Sequence, residues 1–234
     1  MSNEHVWPDW IKNLLPADMQ KLVLRLHVRD SRVGHVRTFP QRIFDLTHKD
    51  VCDPCNTGWM SDWEGAVQPY IEGMLQGRGR ALHATGQRRL AAWATLKCLM
   101  AVRSLPGSDI VPASHYREVY ELRAECRPPD GFVVFTGKAG WSSGEAEAAY
   151  FRLNGIVANG PVDGDKVDGY AATYSVLDLV LQVFRLYEAA DIDFAHGQRL
   201  ATSLHRIWPD PDSFDWPPGP ALTTAGLTFI GGEG

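Results

Sequence analysis

The chain has 234 residues, 44% of them hydrophobic and 22% charged, which suits one large globular domain or two small ones. No apolar run approaches the roughly 20 residues of a membrane span. The acidic and aromatic start, MSNEHVWPDW, differs from a signal peptide, and four cysteines, only two of them close together, are not the pattern of a disulfide framework. We therefore expect a cytoplasmic protein without a membrane partner.

The net charge of −5 conceals an asymmetry along the chain. Residues 1–106 carry 14 Lys and Arg against 10 Asp and Glu, a net +4, whereas residues 107–234 carry 9 against 18, a net −9. Nucleic-acid affinity depends largely on the neutralisation of phosphate charges. A DNA-binding surface is therefore expected within residues 1–106, although ordinary scatter of surface charge would give the same excess.

A β-hairpin is predicted between the N-terminal segment and the first cysteines. Residues 1–15 form a short amphipathic segment. In residues 22–26 leucine alternates with other side chains, which is typical of a half-buried strand. Residues 30–32 suit a turn, and residues 33–39 suit a returning strand.

Two helix-start signals follow the predicted hairpin. Asp53-Pro54 places a capping carboxylate before a proline, and Ser61-Asp62-Trp63-Glu64 has capping-box spacing. We interpret Asp62 and Glu64 as charges favoured by the helix dipole, not as metal ligands. Gly58 can break the helix between the two signals, so the region is one bent helix or two, and Pro69 is expected to kink or end it.

The clearest helix is predicted over residues 86–105, where apolar side chains recur at spacings of three and four. A further helix is predicted over residues 114–124. Strands are predicted at residues 132–136, 149–157 and 170–176. The apolar run 176–186 suits a buried strand and a buried helix equally, and the proline-rich tail from Pro209 is expected to be extended and loop-like.

Two short stretches carry the candidate chemistry. Cys52 and Cys55 have CxxC spacing, which is half of a zinc knuckle because two intervening residues let both thiolates turn toward one point. Asn56 follows directly and offers a hard oxygen that suits a magnesium-like ion. Upstream, Glu4 precedes His5, a candidate general base for hydrolysis.

Together these stretches resemble the HNH endonucleases of the ββα-metal (His-Me finger) group. Residues 4–8 read Glu-His-Val-Trp-Pro, and residues 52–64 read C-x-x-C-Asn-x-Gly-Trp-Met-Ser-Asp-x-Glu. The match is to a subgroup whose next helix carries the pattern Leu-Ala-x-Trp-x-x-x-Lys, here residues 90–97. That subgroup also has Trp-Pro segments like those at residues 207–209 and 216–218.

We expect an α+β fold in three parts. The resemblance implies an HNH-like ββα-metal module at residues 1–80, and the residue patterns predict a helical segment at residues 81–128 and a C-terminal α+β region of unknown role, rich in antiparallel strands, at residues 129–234. Only the first 65 residues carry specific motifs.

The resemblance also implies the roles of the site residues. His5 would be the general base that deprotonates the attacking water, while Glu4 and Asn56 would bind a catalytic Mg²⁺ or Mn²⁺. Cys52 and Cys55 would belong to a zinc knuckle that anchors the helix bearing Asn56. The expected function is divalent-metal-dependent hydrolysis of DNA phosphodiester bonds, which requires Glu4, His5 and Asn56 to converge.

The chain departs from the family pattern in two places. Family members with a structural zinc have another CxxC upstream, because a closed zinc site needs four ligands. The two remaining cysteines are poor substitutes for that upstream pair, since Cys98 lies on an apolar helix stripe and Cys126 lies in a predicted loop. Either the coding sequence starts further upstream, or the knuckle is incomplete and holds no zinc. The Asn that orients the catalytic histidine is replaced by Thr47 and His48, of which His48 is a candidate orienting residue and otherwise a solvated loop histidine.

These departures leave two other hypotheses open. One is a catalytically degenerate protein that keeps the HNH scaffold to bind nucleic acid or a partner. The other is thiol redox chemistry at Cys52 and Cys55, which lacks the usual surrounding βαβ pattern.

Overall fold

The computed structural model describes residues 2–15, 17, 20, 23–29, 36–42, 47–103, 111–140, 149–156, 169–187 and 201–230. These residues form helices and antiparallel sheets, so the α+β prediction is confirmed. Within these ranges no helix is long and apolar enough to cross a bilayer.

The described strands are β1 (Ser2–His5), β2 (Val23–Arg29), β3 (Val36–Arg42), β4 (Thr47–Val51), β5 (Arg80–Leu82), β6 (Phe132–Lys138), β7 (Ala149–Ile156), β8 (Gly169–Val176), β9 (Leu179–Leu186), β10 (Leu204–Trp208) and β11 (Phe214–Trp216). The described helices are α1 (Asp9–Leu14), α2 (Asp53–Cys55), α3 (Ser61–Leu75), α4 (Ala84–Arg103), α5 (Ala113–Glu121) and α6 (Thr224–Ile230). A π-helical turn, Asn56–Met60, joins α2 to α3.

The C-terminal region is built on a five-stranded antiparallel sheet with the order β10-β6-β9-β8-β7. Side chains of β6 alternate between its two faces. Val134 belongs to the main core, the large apolar cluster between the sheet and α4, whereas Val133 and Phe135 belong to a smaller cluster with α6. The undecided run 176–186 holds the end of β8, a tight turn at Leu177 and the whole of strand β9. A strand covered on both faces is apolar throughout, which is why its sequence does not distinguish it from a buried helix.

Helix α4 is the centre of the main core. Every residue from Leu90 to Val102 is buried, and α3 and the sheet both pack against the helix. The hydroxyl of Tyr174 on β8 donates to the carbonyl of Ala94 at 2.8 Å. The predicted helix over residues 86–105 is thus confirmed, with an earlier start, and residues of all three predicted parts contribute to one core.

The predicted hairpin is confirmed. Strands β2 and β3 pair antiparallel, from Val23 opposite Arg42 to Arg29 opposite Val36. The predicted turn at residues 30–32 lies outside the described residues. The sequence did not predict the second antiparallel pair, β1 with β4.

The region after Cys52 is two helices that meet at a kink at Gly58; we call the whole of it, residues 53–75, the bent helix. The π-helical turn absorbs the bend at Gly58, whose φ of −102° and ψ of −115° are not helical. Pro69 lies inside α3, which continues to Leu75, so the expectation that Pro69 could end the helix is wrong. The exposed proline ring is tolerated there, and the Pro69 carbonyl accepts a hydrogen bond from Nη1 of Arg80 at 2.5 Å.

The tail from Pro209 is not loop-like throughout, which corrects the prediction. Strand β11 pairs antiparallel with β5, and Trp216 is buried in the main core. Helix α6 then covers the outer face of the sheet through Leu227 and Ile230. The prolines flank the short strand instead of interrupting it, so they do not prevent its pairing.

Candidate functional site

The strand that carries Glu4 and His5 runs antiparallel to the strand that leads into the cysteines. In this pair Glu4 is opposite His48 and His5 is opposite Thr47. Strand β4 ends at Val51, directly before the start of the bent helix. The pairing thus places the Glu-His segment beside that helix, although the two are far apart in sequence.

His48 is next to Glu4 in the strand register. Only its backbone is described, so its orienting role for His5 stays a prediction.

Three oxygen atoms surround the ammonium of a buried lysine beside the Glu-His segment. Lys97 lies on α4, and its side chain is only 1% exposed. Its Nζ lies 3.1 Å from Oε1 of Glu4 and 2.5 Å from Oε1 of Glu64, and it donates to the carbonyl of His5 at 3.2 Å. An ammonium has three donors and no acceptor, so these three oxygens match its hydrogen-bonding capacity. We call Glu4, Glu64 and Lys97 the ion cluster.

The ion cluster follows from the burial of α4. Leu96, Cys98 and Leu99 surround Lys97 in sequence and are all buried, so position 97 cannot reach water without leaving the core. A buried charge without a partner costs several kcal/mol. The two carboxylates compensate it and tie β1 and α3 to α4.

The carboxyl of Glu4 is buried, which is unusual for an acidic side chain. It is 6% exposed, and this burial raises the pKa of Glu4, an effect that nearby Glu64 reinforces and that Lys97 opposes. The neighbouring segment is equally fixed, because Trp7 packs against Trp93 and Tyr174 with ring centroids 6.2 and 5.4 Å apart. The end of β1 is therefore held rigidly against α4.

Asn56 lies at the first position of the π-helical turn, and its side chain is half-buried. Its backbone N–H donates to the carbonyl of Cys52 at 3.0 Å. Glu64 follows it along the same bent helix and enters the ion cluster. The structure thus brings together Glu4, the backbone of His5 and α3, while the convergence of the Asn56 side chain with Glu4 and His5 stays a prediction.

Cys52 and Cys55 form a disulfide, with an S–S distance of 2.07 Å. Cys52 is exposed, and its sulfur accepts a hydrogen bond from the Cys55 N–H at 3.1 Å. Zinc is bound by thiolates, so the pair in this form does not fit a zinc ion. Cys98 is fully buried, and burial raises the pKa of its thiol; it is a core side chain and not a ligand.

The oxygen donors around Lys97 are of the kind that a hard divalent ion prefers. Glu4 and Glu64 offer carboxylates and His5 offers its backbone carbonyl; such ligands suit Mg²⁺ and Mn²⁺. In the part of the chain that the structure describes, no three His, Cys, Asp or Glu side chains are gathered as in a preformed metal site. By chemistry this donor set fits a divalent ion, and Lys97 supplies the positive charge at Glu4.

The sequence pointed to neither Lys97 nor Glu64 as a site residue. Glu64 is more than a charge near a helix start, because it pairs with Lys97 across to α4. The signal that was present is a single lysine within a long apolar stripe, which requires a buried acidic partner. Its partners are 93 and 33 residues away, and no local pattern identifies them.

A cavity of about 510 Å³ lies against the cysteine pair. It is lined by α4, α5 and the bent helix, with Cys52, Cys55, Trp59, Met100 and Tyr116 among its residues. The lining is largely apolar and does not suit a phosphate backbone. We assign no DNA contact to it.

The chain was compared with protein-family models, with curated proteins and with solved structures, and none of them matches it. The resemblance to HNH endonucleases therefore rests on the motifs themselves.

Proposed function

We propose that the chain is an HNH-like, divalent-metal-dependent endonuclease that hydrolyses DNA phosphodiester bonds. One observation carries the proposal: the three motifs of the resemblance meet at the ion cluster. Glu4 comes from the Glu-His motif, Glu64 ends the motif that begins with the cysteines, and Lys97 is the last residue of the Leu-Ala-x-Trp-x-x-x-Lys motif inside α4. Three motifs that share one buried cluster support a common site more strongly than three that lie apart.

His5 is the proposed general base. Its backbone is held by β4 on one side and by Lys97 on the other, and its side chain is half-buried. In the neutral form, its imidazole would accept the proton of an attacking water.

Glu4 and Asn56 are the proposed ligands of Mg²⁺ or Mn²⁺. When bound, the ion would stabilise negative charge on the scissile phosphate and on the leaving oxygen. Lys97 and Glu64 fix the position of the Glu4 carboxylate, and thereby the end of β1.

A DNA substrate and a cytoplasmic location belong to the same proposal. The excess of basic residues in residues 1–106 supports phosphate binding there. A cytoplasmic environment is reducing, and there the pair Cys52 and Cys55 would be a dithiol.

Cleavage of supercoiled plasmid DNA tests the proposal. The wild-type protein with Mg²⁺ or Mn²⁺ should nick or linearise the plasmid, and His5→Ala should lower the rate about 100-fold or more, the usual contribution of a general base. The matched control is His83→Ala, because His83 is exposed and lies outside the ion cluster. Activity that survives His5→Ala unchanged would exclude the proposed role of His5.

The second candidate is a catalytically degenerate HNH scaffold that binds nucleic acid or a partner. The observation that favours it is the pairing of Glu4 with Lys97, since the chain itself neutralises the carboxylate that a metal ion would need. DNA binding without turnover, equally strong in wild type, His5→Ala and Asn56→Ala, would support this candidate over the nuclease.

A further inference from the structure

The surroundings of the Lys97 ammonium resemble those of a bound hard cation. Two carboxylate oxygens and one backbone carbonyl oxygen lie within 3.2 Å of Nζ. These are the oxygen types that coordinate Mg²⁺, Mn²⁺ and Ca²⁺ in proteins. The lysine therefore occupies a position that could otherwise hold a metal ion.

We propose that Lys97 and a divalent metal ion compete for the carboxylates of Glu4 and Glu64. The ammonium holds the two carboxylates when no ion is bound, and it must withdraw from Glu4, at least in part, when an ion binds. This inference rests on the proposed function in that it takes Glu4 as a ligand of the ion.

The charges of the cluster favour such an exchange. Two carboxylates face one ammonium, so a negative charge remains after Lys97 is counted. The Lys97 side chain is 1% exposed, but that of Glu64 is 21% exposed, so an ion can approach from the Glu64 side. Lysine is a point charge on a flexible stem and can move away from one partner while it stays near another.

Removal of the ammonium should convert the cluster into a better cation site. In Lys97→Gln the two carboxylates lose their positive partner, and their mutual repulsion is best relieved by a divalent ion. Calorimetric titration with MnCl₂ alone should therefore show at least about tenfold tighter binding than to the wild-type protein. The thermal midpoint of Lys97→Gln should fall below that of wild type in EDTA and rise more than that of wild type when MnCl₂ is added.

Two controls separate this effect from a general change of charge. The double variant Glu4→Gln/Lys97→Gln should lose the gain in affinity, because it lacks the carboxylate for which the two cations compete. Lys138→Gln should bind MnCl₂ as wild type does, since Lys138 pairs with Asp178 at 3.2 Å in a partly exposed ion pair outside the cluster.

If Lys97→Gln does not fold, Glu64→Gln tests the same inference. It keeps the pair between Lys97 and Glu4 but removes one carboxylate, so it should bind Mn²⁺ several-fold more weakly than wild type. If Lys97→Gln folds and binds Mn²⁺ with the wild-type affinity, the proposed competition is wrong. If Lys97→Gln does not fold, a wild-type Mn²⁺ affinity of Glu64→Gln leads to the same conclusion.

The outcomes distinguish this inference from the proposed function. Tighter Mn²⁺ binding by Lys97→Gln without DNA cleavage by any form supports the competition and rejects the nuclease. The opposite outcome is that the wild-type protein cleaves DNA with metal while Lys97→Gln binds Mn²⁺ no more tightly than wild type. That outcome supports the nuclease and contradicts the competition.

Discussion

Nζ of Lys97 lies 2.5 Å from Oε1 of Glu64, so an ion pair joins α4 to α3 at a depth where the lysine side chain is 1% exposed. Such pairs add little net stability compared with apolar side chains, but the loss of one partner leaves an uncompensated charge in the core. The pair therefore constrains how the two helices and β1 fit together.

Lys97→Met should destabilise the protein by about 3–5 kcal/mol, because Glu4 is left buried without its counter-charge. The matched control is Lys138→Met, which breaks an ion pair with Asp178 whose side chains are about one-third exposed and should cost less than about 1 kcal/mol. Urea denaturation in EDTA at neutral pH measures both free energies of unfolding. Equal effects of the two substitutions would show that Lys97 is not a buried partner of Glu4.

His115 should make the stability depend on pH between about 4 and 6.5. It is 3% exposed, with Nδ1 3.0 Å from the hydroxyl of Tyr170, and burial, followed by the charge of Arg185, lowers the pKa of His115 to about 4. In this window the unfolded chain binds a proton that the folded chain does not, so the free energy of unfolding falls as the pH falls. The loss between pH 7 and 4.5 is on the order of 2 kcal/mol.

The variant His115→Gln isolates this contribution. It should lose less stability than wild type over the same pH range, measured by urea denaturation, whereas His83→Gln, at an exposed position, should follow the wild-type curve. A pH dependence that His115→Gln leaves unchanged would rule out His115 as its source.

The elements that the sequence predicted are those with a regular apolar pattern over many consecutive residues. Helix α4 has a continuous apolar periodicity, and the first strand of the β2–β3 pair has alternating leucines. Strand β1, in contrast, has four residues, too few to show a period. Its partner β4 follows the hairpin, and nothing in the local sequence specifies this pairing.

The candidate site shows the same limit. The motifs identified Glu4, His5 and Asn56 one by one, but the ion cluster depends on contacts between residues distant in sequence. A lysine such as Lys97 in a buried helix shows that acidic partners exist. Which acids they are depends on how β1 and α3 pack against α4, and that information is in the tertiary structure.

Two glycines should respond in opposite ways to replacement by alanine. Gly65 lies in the middle of α3 with no atom within 4 Å of an added Cβ, so Gly65→Ala should raise the free energy of unfolding by about 0.5–1 kcal/mol. In β6, a Cβ on Gly137 would lie 2.5 Å from the carbonyl oxygen of Ser203 on the approach to β10. Gly137→Ala should therefore cost about 1–3 kcal/mol.

Thermal and urea unfolding of the two glycine variants provide the comparison. Each variant is the other's control, since both add one methyl group. If Gly137→Ala were as stable as Gly65→Ala, β6 and the segment before β10 would not lie as close together as the structure shows.

The four cysteines should separate into three classes on alkylation with iodoacetamide. In protein purified without reductant, Cys52 and Cys55 are bonded to each other and should not react. Cys126 is half-buried, with its pKa raised by burial, and should react slowly. Cys98 is completely buried and should react only after unfolding.

Mild reduction should add two labels, at Cys52 and Cys55, without exposing Cys98, because the CxxC pair lies at the surface and the core stays intact. Mass spectrometry of the digested protein locates the labels, and a sample alkylated in urea after reduction gives the full count of four. Labelling of Cys52 and Cys55 before reduction would show that they are free thiols. In that case a zinc measurement on the same sample would show whether the two thiolates, half of a four-ligand site, hold an ion.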